Sequence, residues 1–406
     1  NPKAVDHFWK IAPERRKYIA HLNADGWGLV QTSTRRQRGR KLFVWGQTRG
    51  SARWQEFLSG NPHDRYIEIQ AGLAQTQYEC LPMPPRTAWE WLEAYGAMNA
   101  DPAQIHGAWH GAQAEAEARL EALIPQERLE QLLRQTRDTM AKRPAQTLLC
   151  RGSGWGALEK LRRAHAGEPQ LSPQLDFGEP GAEQAPWRAL LERGAMGEYD
   201  PREPVSSWLP DARYLPLLAQ AAQGAEHENW HTWLQLGAAL LTQGRFAEAQ
   251  DALARAGGLT RCAWVKYACS CLHLMQHEPE RAAAYARQAA EAAPEDASVL
   301  KFALRVLLEA RQHGEALRLI AAAPPELRQL PRVRLSEAQA LVGLDRLEEA
   351  EAILMQDGGL IVPDIREGEQ TMSEVWLTLQ QKKRGLSREA AEKAAPVPYR
   401  MDFRMN

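Results

Sequence analysis

Glu68 and Glu93 each stand within an alternating run of aromatic and polar side chains. In Tyr66-Ile67-Glu68-Ile69-Gln70 a period of two groups Tyr66, Glu68 and Gln70 on one face, opposite Ile67 and Ile69. In Trp89-Glu90-Trp91-Leu92-Glu93-Ala94-Tyr95 the same period groups Trp89, Trp91, Glu93 and Tyr95. Thr76-Gln77-Tyr78-Glu79-Cys80 repeats the arrangement with Gln77 and Glu79. Rings beside carboxylates and carboxamides suit a sugar, whose C–H faces stack on indole or phenol while Glu and Gln bridge its hydroxyls. Two carboxylates opposed across a cleft also suit glycosidic acid–base chemistry. Glu68 and Glu93 are the expected catalytic pair, with Tyr66, Gln70, Trp89, Trp91 and Tyr95 as substrate contacts. The plainer alternative is a solvent-facing sheet whose tryptophans pack beneath a loop.

Other constellations carry less. His106 and His110 have the i,i+4 spacing of a metal pair on one helix face, but no third ligand is placed, so a packed or solvated pair is expected. Gly152-Ser153-Gly154-Trp155-Gly156 precedes a helical stretch yet lacks the Lys-Ser/Thr ending of a phosphate loop, and reads as a tight turn packing Trp155. Cys269, Cys271, His273 and His277 mimic a metal box, but the repeat register makes Cys269 a small core residue. Arg35, Arg36, Arg38, Arg40 and Lys41 read as a solvated hairpin tip. No metal and no cofactor are expected.

The elements that must carry these residues differ along the chain. The N-terminal part reads as strands: Tyr18–Leu22, a turn at Asn23–Gly26, Gly28–Thr32, Lys41–Trp45 and Tyr66–Gln70, with Ile67 and Ile69 in the core. Helical patterns follow from Pro102, through Leu120, Leu123 and Ile124 and then Leu129, Leu132 and Leu133. Residues 167–210 are proline- and glycine-rich and read as an ordered strap, since Trp187, Trp208 and Tyr214 would otherwise be exposed. Beyond it, Trp233, Leu236, Gly237 and Leu240, then Ala249, Leu253 and Ala256, match the two helices of a tetratricopeptide repeat. The second-helix alanine recurs at Ala282, Ala316 and Ala350, at spacings of 33, 34 and 34 residues. In the last repeat Arg334 and Glu337 replace the Trp and Leu positions.

Composition sets the outer limits. The chain has 406 residues, a formal net charge of −1, five cysteines and 14 tryptophans, seven of them before residue 110. Near-neutrality argues against nucleic acid or an anionic membrane as partner, and no apolar run approaches the roughly 20 residues of a spanning helix. Sparse cysteines fit a reducing cytoplasm. The expected domains are 1–100 (β), 101–227 (helical and proline-rich connector), 228–382 (repeat solenoid) and 383–406 (tail). The chain opens on Asn1 rather than Met, as a piece of something longer would.

Gly39–Gly46, Arg53–Gly60, Tyr66–Glu79, Ala88–Gly96 and Gly152–Glu159 resemble a bacterial family of unknown function. In that family a galactose-mutarotase-like β-sandwich precedes a tetratricopeptide-repeat tail. The resemblance implies an α+β multidomain fold, a partial antiparallel β-sandwich followed by an α-solenoid, and a carbohydrate-active context without a mechanism. Such a sandwich takes on the order of 250 residues, so this chain would hold its C-terminal part, with part of any catalytic site absent. Two functions stay open: a carbohydrate-active protein, of glycoside hydrolase or epimerase type, and a non-enzymatic scaffold holding a protein or peptide on its repeats.

Overall fold

A computed structural model describes residues 1–144, 146–172, 174–224 and 228–405. The chain forms two units, Asn1–Ala145 with Phe403–Asn406, and Gln146–Asp402.

In the first unit, six strands form two antiparallel three-stranded sheets. Strands β1 (Val5–Phe8), β4 (Gly39–Val44) and β5 (Ile67–Gly72) make one, in the order β1-β4-β5. Strands β2 (Lys17–Leu22), β3 (Trp27–Ser33) and β6 (Glu93–Asn99) make the other, in the order β2-β3-β6. The β2–β3 hairpin turns at Gly26, whose φ of +81° and whose approach to the Ala100 carbonyl exclude a side chain. One face of the second sheet packs Val30 and Met98 on Ala116 and Leu120 of helix α3 (Trp109–Leu123), which follows the short α2 (Pro102–Ile105) and precedes α4 (Gln126–Asp138).

Several expectations change here. Thr76–Cys80 is not a strand; it is folded on itself by Glu79 N–H to Thr76 O and Gln75 N–H to Glu79 Oε2. Trp89–Leu92 is irregular, and β6 starts only at Glu93 because β3 ends at the paired Ser33. Ile67 and Ile69 are half-buried, since β5 is an edge strand. Arg40 and Lys41 are not solvated but 1% and 7% exposed. His106 closes α2 while His110 lies in α3, so they share no helix face. Helix α1 (Arg49–Ser59) is an addition, capped by Thr48 at its start and by left-handed Gly60 at its end. Its Trp54 is buried against the C-terminal residues: the indole N–H donates to Phe403 O (2.8 Å), and the two rings meet edge-on at 4.8 Å.

The second unit is helical. Helices α5 (Gly154–His165), α6 (Ala185–Arg193) and α7 (Leu215–Gln223) lead into it. Gly152 and Gly156 leave room for the Phe177 ring, and Trp155 packs at the edge of the core. In the strap, Trp187 is fully buried and donates to Ser207 Oγ (2.8 Å), whereas Trp208 keeps 37% exposure. Helix pairs follow: α8 (Trp230–Thr242) with α9 (Phe246–Leu259), α10 (Ala263–Met275) with α11 (Pro279–Ala292), and α12 (Ala297–Glu309) with α13 (His313–Ala322). After a short α14 (Pro325–Arg328) come α15 (Pro331–Gly343) with α16 (Leu347–Leu354), then α17 (Thr371–Arg384) with α18 (Arg388–Ala394). Ala249, Ala282, Ala316 and Ala350 are all fully buried, as the register predicts. Each lets a second helix approach the first closely.

The turns inside the pairs repeat as strictly as the alanines. Gly244, His277, Arg311 and Asp345 all have φ between +56° and +71°, at the same spacings of 33, 34 and 34 residues. In each, the next N–H reaches back five positions: Arg245 to Leu240 O, Glu278 to His273 O, Gln312 to Leu307 O and Arg346 to Leu341 O, at 2.8–3.0 Å. This is the Schellman closure, for which glycine is the unstrained residue. Replacing Arg311 with Gly should therefore raise unfolding stability by about 0.5–1 kcal/mol, the relief of left-handed strain exceeding the added chain entropy. Chemical denaturation of the full chain measures it.

Candidate functional site

Cross-strand register assembles a polar and aromatic face on the first sheet. Asp6, Phe43 and Glu68 lie side by side across β1, β4 and β5, and so do Phe8, Lys41 and Gln70 in the adjacent row. Directly opposed residues project to the same side of a sheet. Lys41 is the centre of this face. Its ammonium lies 2.6 Å from Asp6 Oδ1, donates to Gln77 Oε1, and stands 5.2 Å and 5.7 Å from the Phe43 and Phe8 ring centres. Gln70 donates to Glu68 Oε2 (2.9 Å), and the exposed Tyr78 packs edge-on to Phe8. A cavity of about 220 Å³ opens beside Phe8, Lys41, Gln70 and Gln77.

Glu93 belongs to the other sheet, so Glu68 and Glu93 do not share a strand pairing. Around Glu93 the protein itself supplies the donors. Tyr95 O–H (2.7 Å) and Gln31 Nε2 (3.1 Å) reach Oε2, while Trp91 Nε1 (3.1 Å) and Gln37 Nε2 reach Oε1. Burial alone would raise this carboxyl's pKa, but the hydrogen bonds from Tyr95, Gln37, Trp91 and Gln31 outweigh it and hold the group below the usual carboxylate range. Four donors occupy the lone-pair positions of one carboxylate, leaving Glu93 suited to anchoring the Trp91 and Tyr95 side chains rather than to moving a proton.

The remaining expected contacts scatter. Tyr66 lies just before β5, edge-on to buried Trp45 at 5.9 Å. Trp89 lies under the Arg36 guanidinium at 5.1 Å. Asp6, Lys41 and Gln77 complete the first face; strand register brings Asp6 and Lys41 to Glu68 and Gln70, and the loop after β5 brings Gln77 to Lys41. Among the described residues no cluster of His, Cys, Asp or Glu is arranged to hold a metal. Cys269 and Cys271 have thiols pushed up to about 11 by burial, which makes them unreactive packing residues.

The second unit presents a different surface. Rings run from the strap across two first helices: Trp208 meets Trp264 at 6.3 Å, Trp264 meets Tyr267 at 5.7 Å, and Tyr267 meets Phe302 at 4.0 Å. Arg305 caps the row 5.4 Å from the Phe302 ring. A groove of about 570 Å³ continues from Trp264 between Pro201, Pro204, Arg261 and Glu295. No helix among the described residues is long and apolar enough to cross a membrane.

Replacing Glu93 with Gln should cost on the order of 1 kcal/mol at neutral pH, because charge-assisted bonds become neutral ones. The folded-state pKa is depressed, so the stabilisation is complete above the unfolded carboxylate value near 4.5 and disappears as pH falls through the folded value. Unfolding curves of both proteins at neutral pH and in acid should diverge in the first and converge in the second.

No profile of a known family matches the chain, and no curated protein does. A solved structure does resemble it: a TPR-domain containing protein from Parabacteroides distasonis, 16% identical, with a TM-score of 0.55. The match covers 99% of this chain and 59% of that one. At this identity the likeness is one of fold, an α+β chain with small N-terminal sheets followed by a tetratricopeptide-like succession of helices.

Proposed function

We propose that the chain is a non-enzymatic repeat scaffold that holds an extended segment of a partner protein along Trp208, Trp264 and Tyr267, with the buried Phe302 backing Tyr267. The carrying observation is the continuity of those rings over the strap, α10 and α12, ending at a cationic side chain and a proline-lined groove. Rigid aromatic side chains give much contact area at little entropic cost and dominate binding energy at protein surfaces. The fold likeness to a TPR-domain containing protein supports the same reading. Selecting a displayed peptide library on the purified chain should yield binders that lose at least about tenfold affinity to a Trp264→Ala, Tyr267→Ala variant with unchanged circular dichroism. Binders indifferent to both substitutions would overturn the reading.

A second reading rests on the first sheet. Phe8 and Phe43 rings, the Asp6 and Glu68 carboxylates, Lys41 and Gln70 form one face of the kind a pyranose requires, and a carbohydrate is its proposed ligand. Glu68, whose carboxylate accepts from Gln70, is the proposed catalytic group of this face, while Trp91, Glu93 and Tyr95 belong to the other sheet. On a glycan array the parent should retain a sugar that a Gln70→Ala variant releases, whereas Glu68→Gln should still bind but abolish any turnover. An array with no specific signal removes this reading.

A further inference from the structure

In the repeat register, Arg334 and Glu337 of α15 take the places that Trp233 and Leu236 hold in α8. An ion pair fills less of the space between helices than an indole and a leucine side chain. Here a pocket of about 460 Å³ lies among α13, α14, α15 and α16, within the size range of small-molecule sites. Its lining combines the apolar side chains of Leu317, Ile320 and Leu341 with three guanidinium groups, those of Arg328, Arg334 and Arg346. Glu349 engages Arg346 through both oxygens at 2.7 and 2.6 Å. Glu337 engages Arg334 through Nη1 only, and the Arg334 Nε is buried with no partner. Arg328 lines the same pocket, and its guanidinium makes neither a hydrogen bond nor an ion pair among the described residues. Three arginines against two glutamates leave one positive charge in excess in a lining that also holds apolar side chains.

We propose that this pocket binds a small organic acid with an apolar chain. Its carboxylate accepts from the guanidinium groups of Arg328 and Arg334, in the forked geometry that suits them, and neutralises the excess charge. Its hydrocarbon part covers Leu317, Ile320 and Leu341. An inorganic anion would meet the charge but leave the apolar side chains wet, and an alcohol would do the reverse. This goes beyond the scaffold reading and does not depend on it.

Calorimetric titration of the full chain with hexanoate, hexanol and inorganic phosphate tests the proposal. Hexanoate should bind at a single site, and hexanol and phosphate at least about tenfold more weakly. Arg328→Gln should weaken hexanoate by about tenfold or more. Glu337→Gln should tighten it, because Arg334 is released from its internal carboxylate; a merely structural ion pair would give loss instead. The Trp264→Ala, Tyr267→Ala variant should keep full hexanoate affinity, so the two surfaces fail or succeed separately. Absence of hexanoate binding, equal binding of phosphate, or indifference to Arg328→Gln would overturn the proposal.

Discussion

The Arg40 guanidinium, buried where β2, β3 and β4 converge, sets the interior of the first unit. It donates to the carbonyls of Gln37, Gly39 and Lys17 and to Ser33 Oγ, at 2.6–3.1 Å. Burial pulls its pKa down to about 10, and the nearby charge of Glu93 works against that pull. Lys17, equally buried, spends its ammonium on the carbonyls of Ala12, Pro13 and Arg15. Two buried cations thus gather backbone oxygens from several segments, and a buried charge is tolerated only with such partners. The Gln31–Gln37–Glu93 network follows from the same demand, since the Glu93 carboxylate opposes the Arg40 charge while carboxamides satisfy it. The position of Glu93, and through it Trp91 and Tyr95, is fixed by this arrangement.

What the sequence made legible was local. The alternation in Tyr66–Gln70 gives β5, and the turn at Asn23–Gly26 gives the hairpin, because both patterns are complete within a few residues. Alternation in Trp89–Glu93 misleads because pairing needs a neighbour. β3 stops at Ser33, the chain turns at Thr34 with Gln37 N–H on Thr34 O, and residues before Glu93 are left without a strand beside them. Burial of Arg40 was hidden for a similar reason: a basic run reads as solvated unless distant carbonyls are known to converge on it. Helix α1 did carry a signal, with Thr48 and Gly60 bracketing it, but its apolar partner Phe403 lies far along the chain.

The repeats show the opposite balance. Fully buried alanines leave almost no tolerance, so their spacing is readable directly and the helix pairs follow. Register leaves other positions free, and the differences between the pairs lie there: an aromatic row on α10 and α12, and an arginine–glutamate pair on α15. The same periodic frame therefore presents an aromatic row across two pairs and a charged hollow in another, without change to the turns that close each pair.

The packing of Phe403 on Trp54 has a consequence for how the molecule is made. All of residues 146–402 lie between the two parts of the first unit in the order of synthesis. At ordinary translation rates an interval on the order of tens of seconds separates the two parts. Until then Trp54 and Phe57 lack the ring that covers them, and the Trp54 N–H lacks its carbonyl. The first unit is therefore completed last although it begins first. A product that stops short of Phe403 carries an uncovered aromatic pair and an unmet indole donor, which distinguish it from the finished chain.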